Sequence, residues 1–134
     1  MAGVVVLDAS ALIALYDSND PHHSWARGMF VDTIAASLVM SVLTYAEVLV
    51  HPTRAGKVEE FERNIDGLGI EIVTAGAEDA STLALLRAST SLKMPDAIVL
   101  HLATRLGASL ATTDRGLAAE ASRRGIVVFE PQPV

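Results

Sequence analysis

Val4-Val5-Val6-Leu7-Asp8-Ala9-Ser10-Ala11-Leu12-Ile13-Ala14-Leu15-Tyr16 is the stretch that decides the architecture of this chain. Its first four residues form a short continuous apolar run, the pattern of a strand buried on both faces. After Asp8 the pattern predicts a helix over Ala9–Tyr16. A buried strand, one polar residue and a helix make the first half of a βαβ unit, the building block of a mostly parallel sheet.

The same alternation continues outward. Pro21, well placed at a first helical position, opens a predicted helix over residues 21–36, followed by a strand at 38–41. Leu43, Ala46, Glu47 and Val50 share one helical stripe, which predicts that Glu47 faces inward with the apolar residues, and Pro52 is expected to end that helix. A more polar helix is predicted over 54–66, with Glu59, Glu60 and Glu62 solvated. Then come a strand at 70–73, a helix at 77–88, and an apolar helix at 95–106 closed by Gly107. Asp96, Val99, Leu100 and Ala103 lie on one face of that helix. A strand at Ser109–Ala111, a helix at 115–124 and a strand at 126–129 complete the pattern. No repeat, linker or low-complexity segment divides residues 1–134, so one α/β domain with a parallel sheet is expected.

Four acids stand in apolar surroundings, where an unpaired carboxylate is costly: Asp8, Glu47, Asp96 and Asp114. Each has an ordinary reading. Asp8 and Asp114 suit helix N-caps, Asp96 suits a first-turn acid, and Glu47 can swing to solvent. Their combination points elsewhere. Asp8 and Asp114 fall at the carboxyl ends of predicted strands, the edge where open α/β sheets bind ligands. Gathered carboxylates repel unless a cation neutralises them, and oxygen-only ligands favour Mg²⁺ or Mn²⁺.

Composition narrows the classes further. There is no cysteine, which excludes disulfides and thiolate zinc sites and fits a reducing compartment. No basic region precedes the first apolar run and no apolar stretch is long enough for a bilayer, so the cytoplasm, away from any membrane, is the expected location. With 16 acids against 10 bases the formal net charge is −6, which argues against a protein that coats nucleic acid electrostatically. It leaves open an enzyme that acts on nucleic acid. Three Phe, two Tyr and one Trp are too few for a base-stacking platform. His22, His23, His51 and His101 show no ligand-like spacing and are assigned no catalytic role.

The segments Val-Leu-Asp8-Ala-Ser10-Ala-Leu, Thr-Tyr-Ala-Glu47-Val-Leu, Met-Pro-Asp96-Ala-Ile-Val-Leu and Ala-Thr112-Thr-Asp114-Arg-Gly-Leu resemble, in order and spacing, the four acidic motifs of PIN-domain ribonucleases. More narrowly they resemble those of the VapC toxins of bacterial toxin–antitoxin pairs, and His51-Pro52-Thr53-Arg54-Ala55-Gly56 also suits that group. The resemblance implies a three-layer α/β/α fold with a central five-stranded parallel sheet. It also implies Mg²⁺- or Mn²⁺-dependent cleavage of RNA by a homodimer that a VapB-type antitoxin neutralises. Carried over by position, Asp8, Glu47, Asp96 and Asp114 become the catalytic metal-site acids, and Ser10 and Thr112 their supporting hydroxyls. Asp8 and Asp96 are expected to contact the metal directly, with Glu47 and Asp114 acting through water. Gly116 stands where many members carry a further acid, so one metal ion is expected rather than two.

Three rival readings compete. A phosphoacceptor receiver domain needs an acid after its third strand and a lysine on its fifth, and both are missing here. A non-catalytic PIN-like interaction module fits poorly with four intact acids. A PIN nuclease of RNA processing outside toxin–antitoxin systems differs mainly in lacking an antitoxin partner.

Overall fold

In a computed structural model, described here for residues 3–133, the chain forms one five-stranded parallel sheet flanked on both faces by helices. The strands are β1 (Val4–Leu7), β2 (Ser37–Ser41), β3 (Glu71–Val73), β4 (Ser109–Ala111) and β5 (Val128–Phe129), in the spatial order β3-β2-β1-β4-β5. From β1 the chain builds outward through β2 to β3, then crosses back and continues on the other side with β4 and β5. The reversal lies between β1 and β4. At such a switch point the two crossovers leave the strand ends in opposite directions and open a crevice.

Strand alternation divides the core into two layers. Val5 and Leu7 point into a layer with Leu12, Met29, Met40, Val48 and Ile65. Val6 points the other way, into a layer with Val99, Leu100, Leu110, Leu117 and Ala121. Helices α1 (Ala9–Tyr16), α2 (His23–Asp32), α3 (Val42–Arg54) and α4 (Val58–Gly67) cover the first face. The second is covered by α5 (Ala80–Ser89), α6 (Met94–Leu106) and α7 (Arg115–Arg123). Among the described residues, no helix is long and apolar enough to cross a membrane.

The sequence-based expectations for β1, α1 and β4 match the structure in full. Elsewhere local chemistry moves the boundaries. The helix expected from Pro21 starts at His23, because Pro21 lies in a turn where Asp20 Oδ1 accepts from His22 N–H at 2.8 Å. It ends at Asp32, since Thr33 turns its hydroxyl back onto the Met29 carbonyl at 2.8 Å. The helix expected over 77–88 is a 3-10 turn, Ala77–Asp79, leading into α5. Pro52 does not end α3, which runs on to Arg54. In the last turn a proline forfeits a single backbone hydrogen bond, and Pro52 is buried there. Gly56, at φ 71°, makes the break instead, so the helix expected from Arg54 begins only at Val58.

The stripe of Leu43, Ala46, Glu47 and Val50 faces outward, contrary to the inward orientation expected from its spacing. Leu43 is 51% exposed and Val50 44%, while Thr44, Val48 and Pro52 are the buried positions of α3. The helix is apolar on both sides, so periodicity alone chose the wrong one. A pair of substitutions checks the corrected face. Val48→Ala is expected to cost about 2 kcal/mol in chemical denaturation, against under about 0.5 kcal/mol for Leu43→Ala. Equal costs would restore the inward orientation.

Candidate active site

The site begins at the end of β1. Asp8 is the N-cap of α1 and only 8% exposed, and its Oδ1 accepts from the Ala9 N–H at 2.9 Å. Two hydroxyls donate to its other oxygen: Ser10 Oγ at 2.7 Å and Thr112 Oγ1 at 2.7 Å. Each hydroxyl in turn accepts a backbone N–H from the segment after β4, Thr113 onto Ser10 at 3.0 Å and Asp114 onto Thr112 at 2.9 Å. A hydroxyl can donate one hydrogen and accept others, so both are fully used. The Asp8 N–H donates to the Ala111 carbonyl at 3.0 Å, which completes the stitching of β1 to β4.

Asp114 follows as the N-cap of α7, with Oδ1 accepting from the Leu117 N–H at 3.0 Å. Its other oxygen has no such partner among the described hydrogen bonds, and the residue is exposed. The capping readings of Asp8 and Asp114 are therefore correct without excluding a second role. A Cβ at Gly116 would lie 3.3 Å from Asp114 Oδ1, so glycine leaves that carboxylate room to cap the helix.

Asp96 stands in the first turn of α6, behind Pro95 and the N-cap Lys93, where the helix start favours its negative charge. Its carboxyl is nevertheless pushed up to about 6. Burial is the largest cause, followed by the charges of Asp114, Asp8 and Glu47, with Lys93 opposing them. Glu47 is also raised, first by burial of its carboxyl and then by Asp8. These couplings bring together all four acids singled out in the sequence, from β1, α3, α6 and the end of β4. The outward orientation of the α3 stripe does not remove Glu47 from the group, because α3 starts at the strand-end edge of the sheet.

Ser10 and Thr112 likewise lie where the sequence placed them. The donor set suits a hard divalent cation: oxygen only, several carboxylates, at least one inclined to hold a proton when no positive charge offsets the others. Among the described residues, no three acids or histidines already stand close enough to form a metal cage. Asp8 and Asp96 are the least exposed of the set, so they would hold a cation directly, with Glu47 and Asp114 flanking.

One polar centre escaped the sequence reading. Asp79 is buried, accepts from the Gly76 N–H at 2.8 Å, and lies 2.8 Å from His101 Nε2 and 3.5 Å from an Arg105 guanidinium nitrogen. The His101 hydrogen bond leads the causes that hold its carboxyl below the ordinary range. This group ties the β3–α5 connection to α6 and makes no contact with the four acids. It explains His101, expected at the core or rim without a catalytic role. The signal available in the sequence was weak: an Asp after Gly76-Ala77-Glu78 in a helix start.

The sequence matches the PIN domain family over residues 5–121, and the chain belongs to that family. Known structures agree with this assignment at the level of the fold. A toxin–antitoxin complex from Klebsiella pneumoniae superposes with a TM-score of 0.71 at 22% identity, covering 85% of this chain and 90% of that one. VapC20 of Mycobacterium tuberculosis, a toxin that cleaves the sarcin–ricin loop, gives 0.74 at 13% identity over 87% of this chain and 94% of its own. FitAcB from Neisseria gonorrhoeae gives 0.72 at 16% identity, covering 93% and 96%. No curated protein matches the sequence significantly.

The raised Asp96 carboxyl has a measurable consequence. Between its ordinary value of 3.8 and about 6, the folded chain binds a proton that the unfolded chain has released. Stability from this source therefore falls as pH rises through that window. Solvent screening of a half-exposed group limits the loss to the order of 1 kcal/mol. In chelator, the melting temperature of Asp96→Asn minus that of the parent is expected to grow by about 2–4 °C between about pH 4 and pH 7.5. A difference that stays flat or shrinks would show that the Asp96 carboxyl is not raised.

Proposed function

We propose that this chain is a metal-dependent endoribonuclease and the toxin of a toxin–antitoxin pair. Mg²⁺ is its cofactor, with Mn²⁺ able to replace it, and a VapB-type antitoxin is its inhibitor. The observation that supports this reading is the cluster at the β1–β4 switch point, where Ser10 and Thr112 hold Asp8 and where burial, with the charges of Asp114, Asp8 and Glu47, raises Asp96. Such a cluster costs stability, and all four of its acids fall within residues 5–121, the span that matches the PIN domain family. Several structures with this fold are toxins or toxin–antitoxin complexes, and one of those toxins cleaves RNA. The exposed Leu43 and Val50 of α3 support a homodimer, in which such a stripe is covered. An RNA substrate and the absence of a long apolar helix fit a cytoplasmic location.

In this mechanism a divalent ion, when bound, supplies Lewis acidity at the scissile phosphate and lowers the pKa of a coordinated water. The chain does the rest. Ser10 and Thr112 fix the Asp8 carboxylate, so that its remaining lone pairs point one way with little rotational freedom. Asp96, raised to about 6 by burial and by the neighbouring carboxylates, would lose its proton more readily once a positive charge offsets them, which couples its titration to loading of the site. Glu47 carries a raised carboxyl of its own and is suited to take the proton from the attacking water. Asp114 keeps one oxygen on the α7 cap and leaves the other for a water or the substrate's hydration shell. Lys93 is the cation that already acts on Asp96, and it would meet the phosphate backbone at the rim.

Degradation of RNA by the purified chain should require Mg²⁺ or Mn²⁺ and stop with chelator. Asp8→Asn and Asp96→Asn should each lower the rate by at least about a hundredfold while circular dichroism stays unchanged. Undiminished cleavage by a folded Asp8→Asn variant would overturn the assignment.

A further inference from the structure

A second surface on this chain lies outside the acidic cluster and serves none of its chemistry. Between α2 and the end of β5 runs an open groove of about 340 Å³, floored by Trp25, Met29 and Phe129 and rimmed by Asp32 and Glu130. None of the four site acids lines it.

Three independent observations give the groove a ligand. The first is the strand beside it. β5 is an edge strand. Val127 and Phe129 turn their carbonyls toward β4, where they accept from Leu110 and Thr112 at 3.0 and 3.1 Å. Alternation along the strand then turns the backbone N–H and C=O of Val128 outward. Those groups offer a ladder to a further strand.

The second is Gly28, in the middle of α2. Glycine is a poor helix residue and needs a reason there. Its φ is not positive, and a Cβ added to it meets nothing within 4 Å. Neither backbone conformation nor packing within the chain requires glycine at this position. What it does is keep the groove open. The third is charge, for the two carboxylates on the rim repel a phosphate backbone and a second copy of this acidic chain alike. They favour arginine or lysine.

We infer that the groove between α2 and β5 binds an extended basic segment of a partner protein, which adds a strand to the β5 edge. Apolar side chains of that segment enter between Trp25, Met29 and Phe129, and its basic side chains meet Asp32 and Glu130. The surface does not depend on the nuclease reading, because it shares no residue with the acidic site.

Trp25 is the one tryptophan in the chain, so its fluorescence reports on the groove directly. The probe is a synthetic peptide of alternating arginine and isoleucine, titrated into the full chain. A saturable blue shift of Trp25 emission is expected. The same peptide methylated on alternate backbone nitrogens should bind at least about tenfold more weakly, as should the parent peptide to Asp32→Lys/Glu130→Lys. Gly28→Leu, whose Cβ meets nothing within 4 Å, puts a side chain into the groove and should abolish the shift while metal-dependent RNA cleavage stays at the parent level. An equal shift with the glutamate–isoleucine peptide would overturn the inference, as would undiminished binding to Gly28→Leu. A change in the oligomeric state of unliganded Gly28→Leu would also overturn it, by assigning the groove to a second copy.

Discussion

Asp8 Oδ2 accepts two hydroxyl hydrogens at once, one from its own helix and one from across the sheet. The arrangement of the rest of the site follows from this junction. Without those donors a carboxylate 8% exposed would keep only the Ala9 N–H on Oδ1, with Oδ2 buried and unsatisfied. With them it remains a suitable acceptor, and the same hydroxyls hold the backbone of Thr113 and Asp114 in place. The charge at the end of β1 and the position of the acid after β4 are therefore set by one set of hydrogen bonds. The stability cost of gathering acids falls mainly on Asp96, whose raised carboxyl records it.

Much of this was legible in the sequence because it rests on short-range pattern. The apolar run before Asp8, the helical spacing after it and the acid behind Ser109–Ala111 each have one reading, and parallel topology follows from their alternation. The ordinary readings of Asp8 and Asp114 as helix caps and their place in the cluster proved compatible. A cap uses one carboxylate oxygen; in Asp8 the other takes the Ser10 and Thr112 hydroxyls, and in Asp114 it is left without a partner among the described hydrogen bonds. Ser10 and Thr112 were also accessible, through a resemblance of motifs rather than any spacing of their own, since 102 residues separate them.

What was not legible depends on tertiary context. α3 carries apolar residues on opposite sides, and only the sheet beneath it decides that Val48 and Thr44 go inward while Leu43 and Val50 face out. Pro52 is tolerated because its missing donor falls in the last turn and its ring is buried. Asp79 looks in sequence like any acid near a helix start. Its partners His101 and Arg105 arrive from α6, more than twenty residues downstream. Pairings of that kind are invisible until the crossover from β3 back to β4 has been traced.

The span of the Asp8 anchor has a temporal consequence. Thr112 meets Asp8 across 104 residues, and β4 follows β1 in the chain only after the crossovers to β2 and β3. During synthesis, a ribosome has translated most of the chain before the first acid acquires its second hydroxyl. A nascent or truncated product therefore carries the acids without the arrangement that joins them. Whatever chemistry the cluster performs can begin only after Thr112 and Asp114 have been made and have reached the end of β1.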